Sequence, residues 1–183
     1  LQNDGNGHFV DITESAGLSE KRFRRSYASS LIDLDEDLDL DLVICSDFSG
    51  LDVYLNDGQG QFTDVTEALV DQRHSFGMAL SFADYNLDGK TDIFMTGMGS
   101  TTARRLEQMN LKRDDFPLHQ KMRMPMGYGN RMYLARDQAV DGKSGIARRF
   151  PQASFNDQVA RTGWSWGATS FDFDNDGDRD IYV

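Results

Sequence analysis

The sequence has little of what usually marks an enzyme or a cross-linked domain. Its single cysteine, Cys45, excludes any disulfide within the chain. Only three histidines and three prolines occur, and no zinc-ligand spacing is present. Phosphate-cradling glycine loops and the dinucleotide fingerprint are missing as well. No apolar run reaches 18 residues and no signal peptide is present, so no membrane span is expected in this segment. A formal charge of −11 has the wrong sign for nucleic acid, and no recognition motif offsets it. For catalysis, the candidates are Ser75 beside His74, and Asp114 or Asp115 near His119. Neither group falls in a nucleophile motif, so ordinary turn or surface roles are expected.

What the chain does have is acid in a fixed pattern. Three nine-residue loops run into apolar segments: Asp33 to Asp41 (DLDEDLDLD), Asp84 to Asp92 (DYNLDGKTD) and Asp172 to Asp180 (DFDNDGDRD). Oxygen side chains at positions 1, 3, 5 and 9, with a backbone carbonyl at position 7, can surround one hard cation, and Ca²⁺ is the cation this chemistry favours. An EF-hand would need Glu at position 12, where Ile44, Met95 and Val183 stand instead. Leu42–Ile44, Ile93–Met95 and Ile181–Val183 read as strands, so each loop is expected to join two strands. Position 6 must turn sharply; Gly89 and Gly177 suit it, whereas Leu38 in the first loop does not. An acidic, solvated hairpin without metal is the plainer alternative.

A second motif fixes the repeat. Asn3 to Glu14 (NDGNGHFVDITE) and Asn56 to Glu67 (NDGQGQFTDVTE) share 8 of 12 positions at an offset of 53, against 51 between the first two loops. Periods near 50 belong to propeller blades or solenoids. Within one period the order is an apolar segment (Ser26–Ile32), the acidic loop, strands Leu42–Cys45 and Leu51–Leu55, an Asn-Asp-Gly turn, and strand Gln61–Val65. Four short antiparallel strands make a blade.

With these motifs the chain resembles the FG-GAP or VCBS-type repeats of integrin α-like β-propellers. Its closest likeness is to bacterial relatives of the cartilage acidic protein group. The resemblance covers nearly everything outside residues 97 to about 150. It implies side-chain ligands Asp84, Asn86, Asp88 and Asp92 with the Lys90 carbonyl, and Asp172, Asp174, Asp176 and Asp180 with the Asp178 carbonyl. Asp33, Asp35, Asp37 and Asp41 with the Asp39 carbonyl match less fully because of Leu38. Two Ca²⁺ sites and a third in the first loop are thus expected.

The expected fold is all-β: a propeller segment of about three blades' worth, with a basic, partly helical insertion. Repeat units fall at about 1–53, 54–96 and 97–183, in one partial domain, with the insertion at about 97–150. The order begins on the last two strands of one blade and stops after the first two of another. That pattern reads as a fragment of a larger propeller, or as an arc completed by an oligomer.

The three loops hold 14 of the 30 acidic residues, so much of the charge is ligand supply. Extracellular calcium modules bind at about 10⁻⁴–10⁻³ M, which resting cytosol would leave empty. An extracellular, cell-surface or periplasmic location is therefore expected.

The insertion reverses the charge: 11 of the 19 basic residues lie between Gly97 and Phe150, against five acidic ones. Thr102–Asn110 reads as a short helix, with Phe116-Pro117 marking its end, and Met132–Leu134 re-enters the sheet as a third strand. The arginines and lysines beside His119 and Tyr128 could receive an acidic glycan, or simply offset nearby acidic loops. Trp164 and Trp166 alternate about Ser165 and are expected on one strand face, packed between blades.

The leading reading is an extracellular calcium-binding module for adhesion or for a protein or carbohydrate ligand. The alternatives are a polysaccharide lyase or dehydratase using His119, Arg123 and Tyr128, and a pure scaffold for a further domain.

Overall fold

The computed structural model describes residues 1–138 and 148–183. Lys143 of the basic stretch lies outside the described residues. The fold is mostly β, built from small antiparallel sheets as a propeller segment is.

Strands β1 (Gln2–Asn3) and β2 (Phe9–Val10) form a first hairpin across the Asn-Asp-Gly turn. The next sheet is a full four-stranded meander of β3 (Arg25–Ile32), β4 (Asp41–Asp47), β5 (Gly50–Asn56) and β6 (Phe62–Asp64). After the short helix α1 (Thr66–Leu69) comes a second sheet of β7 (Gly77–Ala83), β8 (Asp92–Gly97) and, beyond the insertion, β9 (Arg131–Tyr133). A short ladder of β10 (Arg136–Asp137) with β11 (Arg148–Arg149) is next. A helical turn (Asn156–Val159) then precedes the hairpin of β12 (Thr169–Phe171) and β13 (Asp180–Tyr182). Each acidic loop joins the first two strands of its sheet, as its spacing predicts.

The second sheet has a rudimentary fourth strand. Leu134 donates its amide to the Pro151 carbonyl at 3.2 Å, and Ala153 donates to Met132 at 2.8 Å. Phe150–Ala153 therefore lies beside β9, although only Gln152 makes a ladder bridge there among the described residues. The sequence period starts at a turn and the sheets start at β3 and β7, so the insertion falls between the second and third strands of one sheet.

Both faces of that sheet are covered. Ile93, Met95 and Tyr133 point into a core with Val43, Cys45, Leu51 and Val53 of the preceding sheet and Phe150. Phe94 and Met132 point the other way, toward Tyr85, Val159, Ile181 and Val183. Strand alternation thus explains why β8 reads as a continuous apolar run: each neighbour in sequence serves a different interface. Burying side chains such as Phe94, Tyr133 and Phe150 stabilises the stack by roughly 1.5–3 kcal/mol each. Cys45 belongs to this core, and burial pushes its thiol pKa upward, away from reactivity.

Two local expectations need correction. The insertion begins with α2 (Thr101–Gln108), close to the predicted helix, but Phe116-Pro117 does not close it. Pro117 instead opens a second helix, α3 (Pro117–Met126), because its fixed φ and missing N–H suit a first helical turn. Trp164 and Trp166 do not lie on a strand; they sit in the irregular segment before β12, 74% and 64% exposed. Trp166 meets Tyr27 of β3 edge-on at 6.2 Å, while Trp164 stands free of any such ring contact among the described residues.

Candidate functional site

The three acidic loops share one hydrogen-bond scheme, written in the same positions. The carboxylate at position 9 accepts the amide of position 2: Leu34 to Asp41 at 2.9 Å, Tyr85 to Asp92 at 3.0 Å, Phe173 to Asp180 at 3.2 Å. The carboxylate at position 1 accepts the amide of position 6: Leu38 to Asp33 at 3.2 Å, Gly89 to Asp84 at 2.7 Å, Gly177 to Asp172 at 3.0 Å. Position 5 accepts from position 7: Asp39 to Asp37 at 3.1 Å, Lys90 to Asp88 at 3.0 Å and Asp178 to Asp176 at 3.1 Å. Local carboxylate-to-amide bonds of this kind coil the backbone around its own acids.

The coil needs positive φ at positions 4 and 6 in all three loops: Glu36 and Leu38, Leu87 and Gly89, Asn175 and Gly177. Leu38 adopts φ 76° where its counterparts are glycine, so the first loop makes the same turn without one. Its side chain stands 93% exposed, and so that geometry is not offset by packing.

The coil gathers oxygens. One carboxylate oxygen from each of Asp33, Asp35 and Asp37 lies within 4.8 Å of the others, and the same holds for Asp172, Asp174 and Asp176. This spread is about twice a Ca–O distance of roughly 2.4 Å, the separation of ligands on opposite sides of one ion. In the first loop Asp33 Oδ1, Asp35 Oδ1 and Asp39 Oδ1 are buried with no hydrogen-bond partner among the described residues. Burial raises the Asp35 pKa, and the neighbouring charges of Asp37, Asp33 and Asp39 raise it further. Asp178 is raised chiefly by repulsion from Asp176. An all-oxygen donor set under mutual repulsion fits a hard divalent cation.

The second loop is weaker in charge. Position 3 is Asn86, whose side-chain amide donates to Asp88 at 3.2 Å, and the Lys90 ammonium lies 3.8 Å from Asp88 and 3.5 Å from Asp137. Position 9 does something more than face the loop. Asp41 also accepts the Asn56 amide at 3.0 Å, and Asp92 accepts that of Ala135 at 2.7 Å, which ties each loop to the far end of its sheet. Both residues are fully buried.

The basic excursion is partly spent inside the protein. Arg148 donates to the Leu34 carbonyl at 2.9 Å and pairs with Glu36 of the first loop and with Asp137. Arg131 donates to the His74 and Pro125 carbonyls and stacks over Tyr128, 5.0 Å from its centroid. Arg123 is buried and donates to the Leu111 carbonyl at 2.7 Å. His119 is exposed on α3, and Tyr128 donates to Asp157, so His119, Arg123 and Tyr128 each face a different surrounding. Ser75 is buried and donates to the Gly129 carbonyl at 3.2 Å, burial holds the His74 imidazole below its usual range, and Asp115 pairs with Arg113. These contacts give Ser75 and Asp115 structural roles.

One buried centre has no sequence motif. Asp52 in β5 is fully buried and meets Lys21 at 2.8 Å, Arg24 at 3.6 Å and Arg73. It fastens the segments before and after its sheet. Lys21 and Arg73 stand 31 and 21 residues away, and nothing in the spacing points to them.

The FG-GAP-like repeat family matches residues 33–95, from the start of the first acidic loop to the strand beyond the second. No curated protein matches the chain.

Proposed function

We infer that this is a calcium-binding FG-GAP repeat module that works outside the cytosol and holds an extracellular ligand. The observation that carries the reading is the pair of buried, unpartnered oxygens on Asp33 and Asp35, converging with Asp37 inside a coil that recurs twice more in the chain. Leaving buried acceptors unsatisfied costs about 1–3 kcal/mol each, and a bound cation removes that cost. The ligand sets are Asp33, Asp35, Asp37 and Asp41, then Asp84, Asn86, Asp88 and Asp92, then Asp172, Asp174, Asp176 and Asp180. The carbonyls of Asp39, Lys90 and Asp178 complete them.

In this reading the finer likeness is to integrin α-type propellers and to bacterial relatives of the cartilage acidic protein group. Adhesion or ligand capture is the work, and calcium rigidifies the connection between the first two strands of each sheet so that ligand-bearing surfaces keep their shape. The modest affinity of such loops suits millimolar extracellular calcium.

The test is thermal unfolding of the chain in millimolar Ca²⁺ and in EDTA. At ten times Kd, three independent sites add about 4 kcal/mol, which for a chain of this size raises Tm by roughly 10 °C. Identical melts in the two conditions would overturn the reading.

A further inference from the structure

Beyond the acidic loops, the insertion and the segment before β12 line an open pocket of about 200 Å³. Its walls are the start of α2 (Ser100, Thr101, Arg104), the turn after α3 (Gly127, Tyr128) and Arg161 with Trp164. No carboxylate lines it among the described residues.

Three features separate this pocket from an accidental gap. First, its cations are free. Arg123, Arg131 and Arg148 are consumed by carbonyls and carboxylates, whereas the exposed guanidiniums of Arg104 and Arg161 have no hydrogen bond or ion pair among the described residues. Two guanidiniums without a carboxylate partner line this one pocket in a chain of net charge −11, and guanidiniums suit oxyanions by forked hydrogen bonding. Second, Trp164 is 74% exposed at the same rim, offering a flat apolar face with Tyr128 close by. Third, the walls are fixed relative to one another. The fully buried Asn130 accepts the Gly97 amide at 2.9 Å and donates to the Val159 carbonyl and the Thr162 hydroxyl, each at 2.9 Å. Its own amide donates to the Ala160 carbonyl at 2.8 Å. Gly129 lies so close to Ala160 that any Cβ would run into its carbonyl. One asparagine thus pins the segment carrying Arg161 and Trp164 to the strand that leads into α2.

The start of α2 adds donors. Ser100 Oγ accepts the Ala103 amide at 3.2 Å, and the earlier first-turn amides remain for a ligand or water.

The geometry points to a binding site for an anionic sugar: one pyranose ring lying on Trp164, with its carboxylate or sulfate held by Arg104 and Arg161. A cavity of about 150 Å³ already accepts one six-membered ring, so this one has room for a ring with its substituents at the mouth. The proposal rests on the reading of the chain as a ligand-binding module and names the class of ligand.

The experiment is isothermal titration of the calcium-loaded chain with glucuronate, glucose 6-sulfate and uncharged glucose, repeated on Arg104→Gln/Arg161→Gln and on Trp164→Ala. All three positions are exposed, so the variants should fold, and their melts check this. Saturable binding of glucuronate or the sulfate ester, at least about tenfold tighter than glucose, is expected, and the two anions show which oxyanion is preferred. The double arginine variant should lose about tenfold in affinity for the anion, and Trp164→Ala should weaken every sugar. Silence toward both anions, equal binding of glucose, or undiminished binding by the double variant would overturn the site. A calcium-dependent melt with silent titrations removes only the sugar site. A melt indifferent to calcium removes the calcium reading on its own.

Discussion

The carboxylate of Asp92 accepts the amide of Ala135 at 2.7 Å across 43 residues of chain, while its other oxygen accepts the amide of Tyr85. One side chain thereby locks an acidic loop to the strand that returns from the insertion. Asp41 does the same between Leu34 and Asn56. The last acid of each of these loops is a clamp as well as a candidate ligand.

Replacing that clamp should therefore be costly even without metal. Asp92→Ala leaves two amides without their acceptor and should cost about 2–4 kcal/mol in EDTA. Urea unfolding of the cation-free chain measures it. A loss below about 0.5 kcal/mol would mean that position 9 serves the cation alone.

Leu38 predicts the opposite sign. Its φ of 76° is glycine's territory, and its exposed side chain has no packing to lose. Leu38→Gly should stabilise the chain by about 1 kcal/mol, despite the greater freedom glycine brings to the unfolded state. A lower Tm for this variant would show that the first loop does not make the turn of the other two.

Asp52 is the anchor that spacing alone does not reveal. Asp52→Ala strands the buried Arg73 and should cost about 3–5 kcal/mol, whereas Arg113→Ala, which breaks an exposed pair with Asp115, should cost under about 1. Parallel denaturant melts of the two variants make the comparison, and equal losses would contradict it.

Acid should act differently on the cation-free and calcium-loaded chains. Burial, with added repulsion from Asp35 and Asp39, raises the Asp41 pKa from 3.8 to about 6, against the pull of the Asn56 and Leu34 amides. Because the folded value lies above the unfolded one, the cation-free fold binds the proton more readily. Its stability from this group therefore falls as pH rises from about 4 to 6 and is flat above. Calcium requires the carboxylate, so its benefit runs the other way. The gap in Tm between calcium and EDTA should shrink on going from about pH 7 to about pH 5. A gap that widens with acid would contradict this assignment.

Much of the fold was legible in the residues. The three loops, the Asn-Asp-Gly turns and the apolar runs placed β3 to β9 in order, because each strand's chemistry is local to its turn. Even the return of Met132 to the sheet was readable from its apolar run. Pro117 misled because a proline that stops one helix can equally start another, and the residues on its C-terminal side decide which. Trp164 and Trp166 alternate like strand residues, but their segment bends to stay with Asn130 and gains no ladder. Tertiary contacts decide such places, and so they decide Asp52 and the pocket, whose members come from distant segments.

The most direct test of the calcium reading is calorimetric titration of the metal-stripped chain with Ca²⁺, beside the double variant Asp172→Asn/Asp176→Asn. Saturable uptake of two or three ions, reduced by one in the variant, is the predicted result. No saturable uptake at millimolar calcium would contradict the reading at its centre.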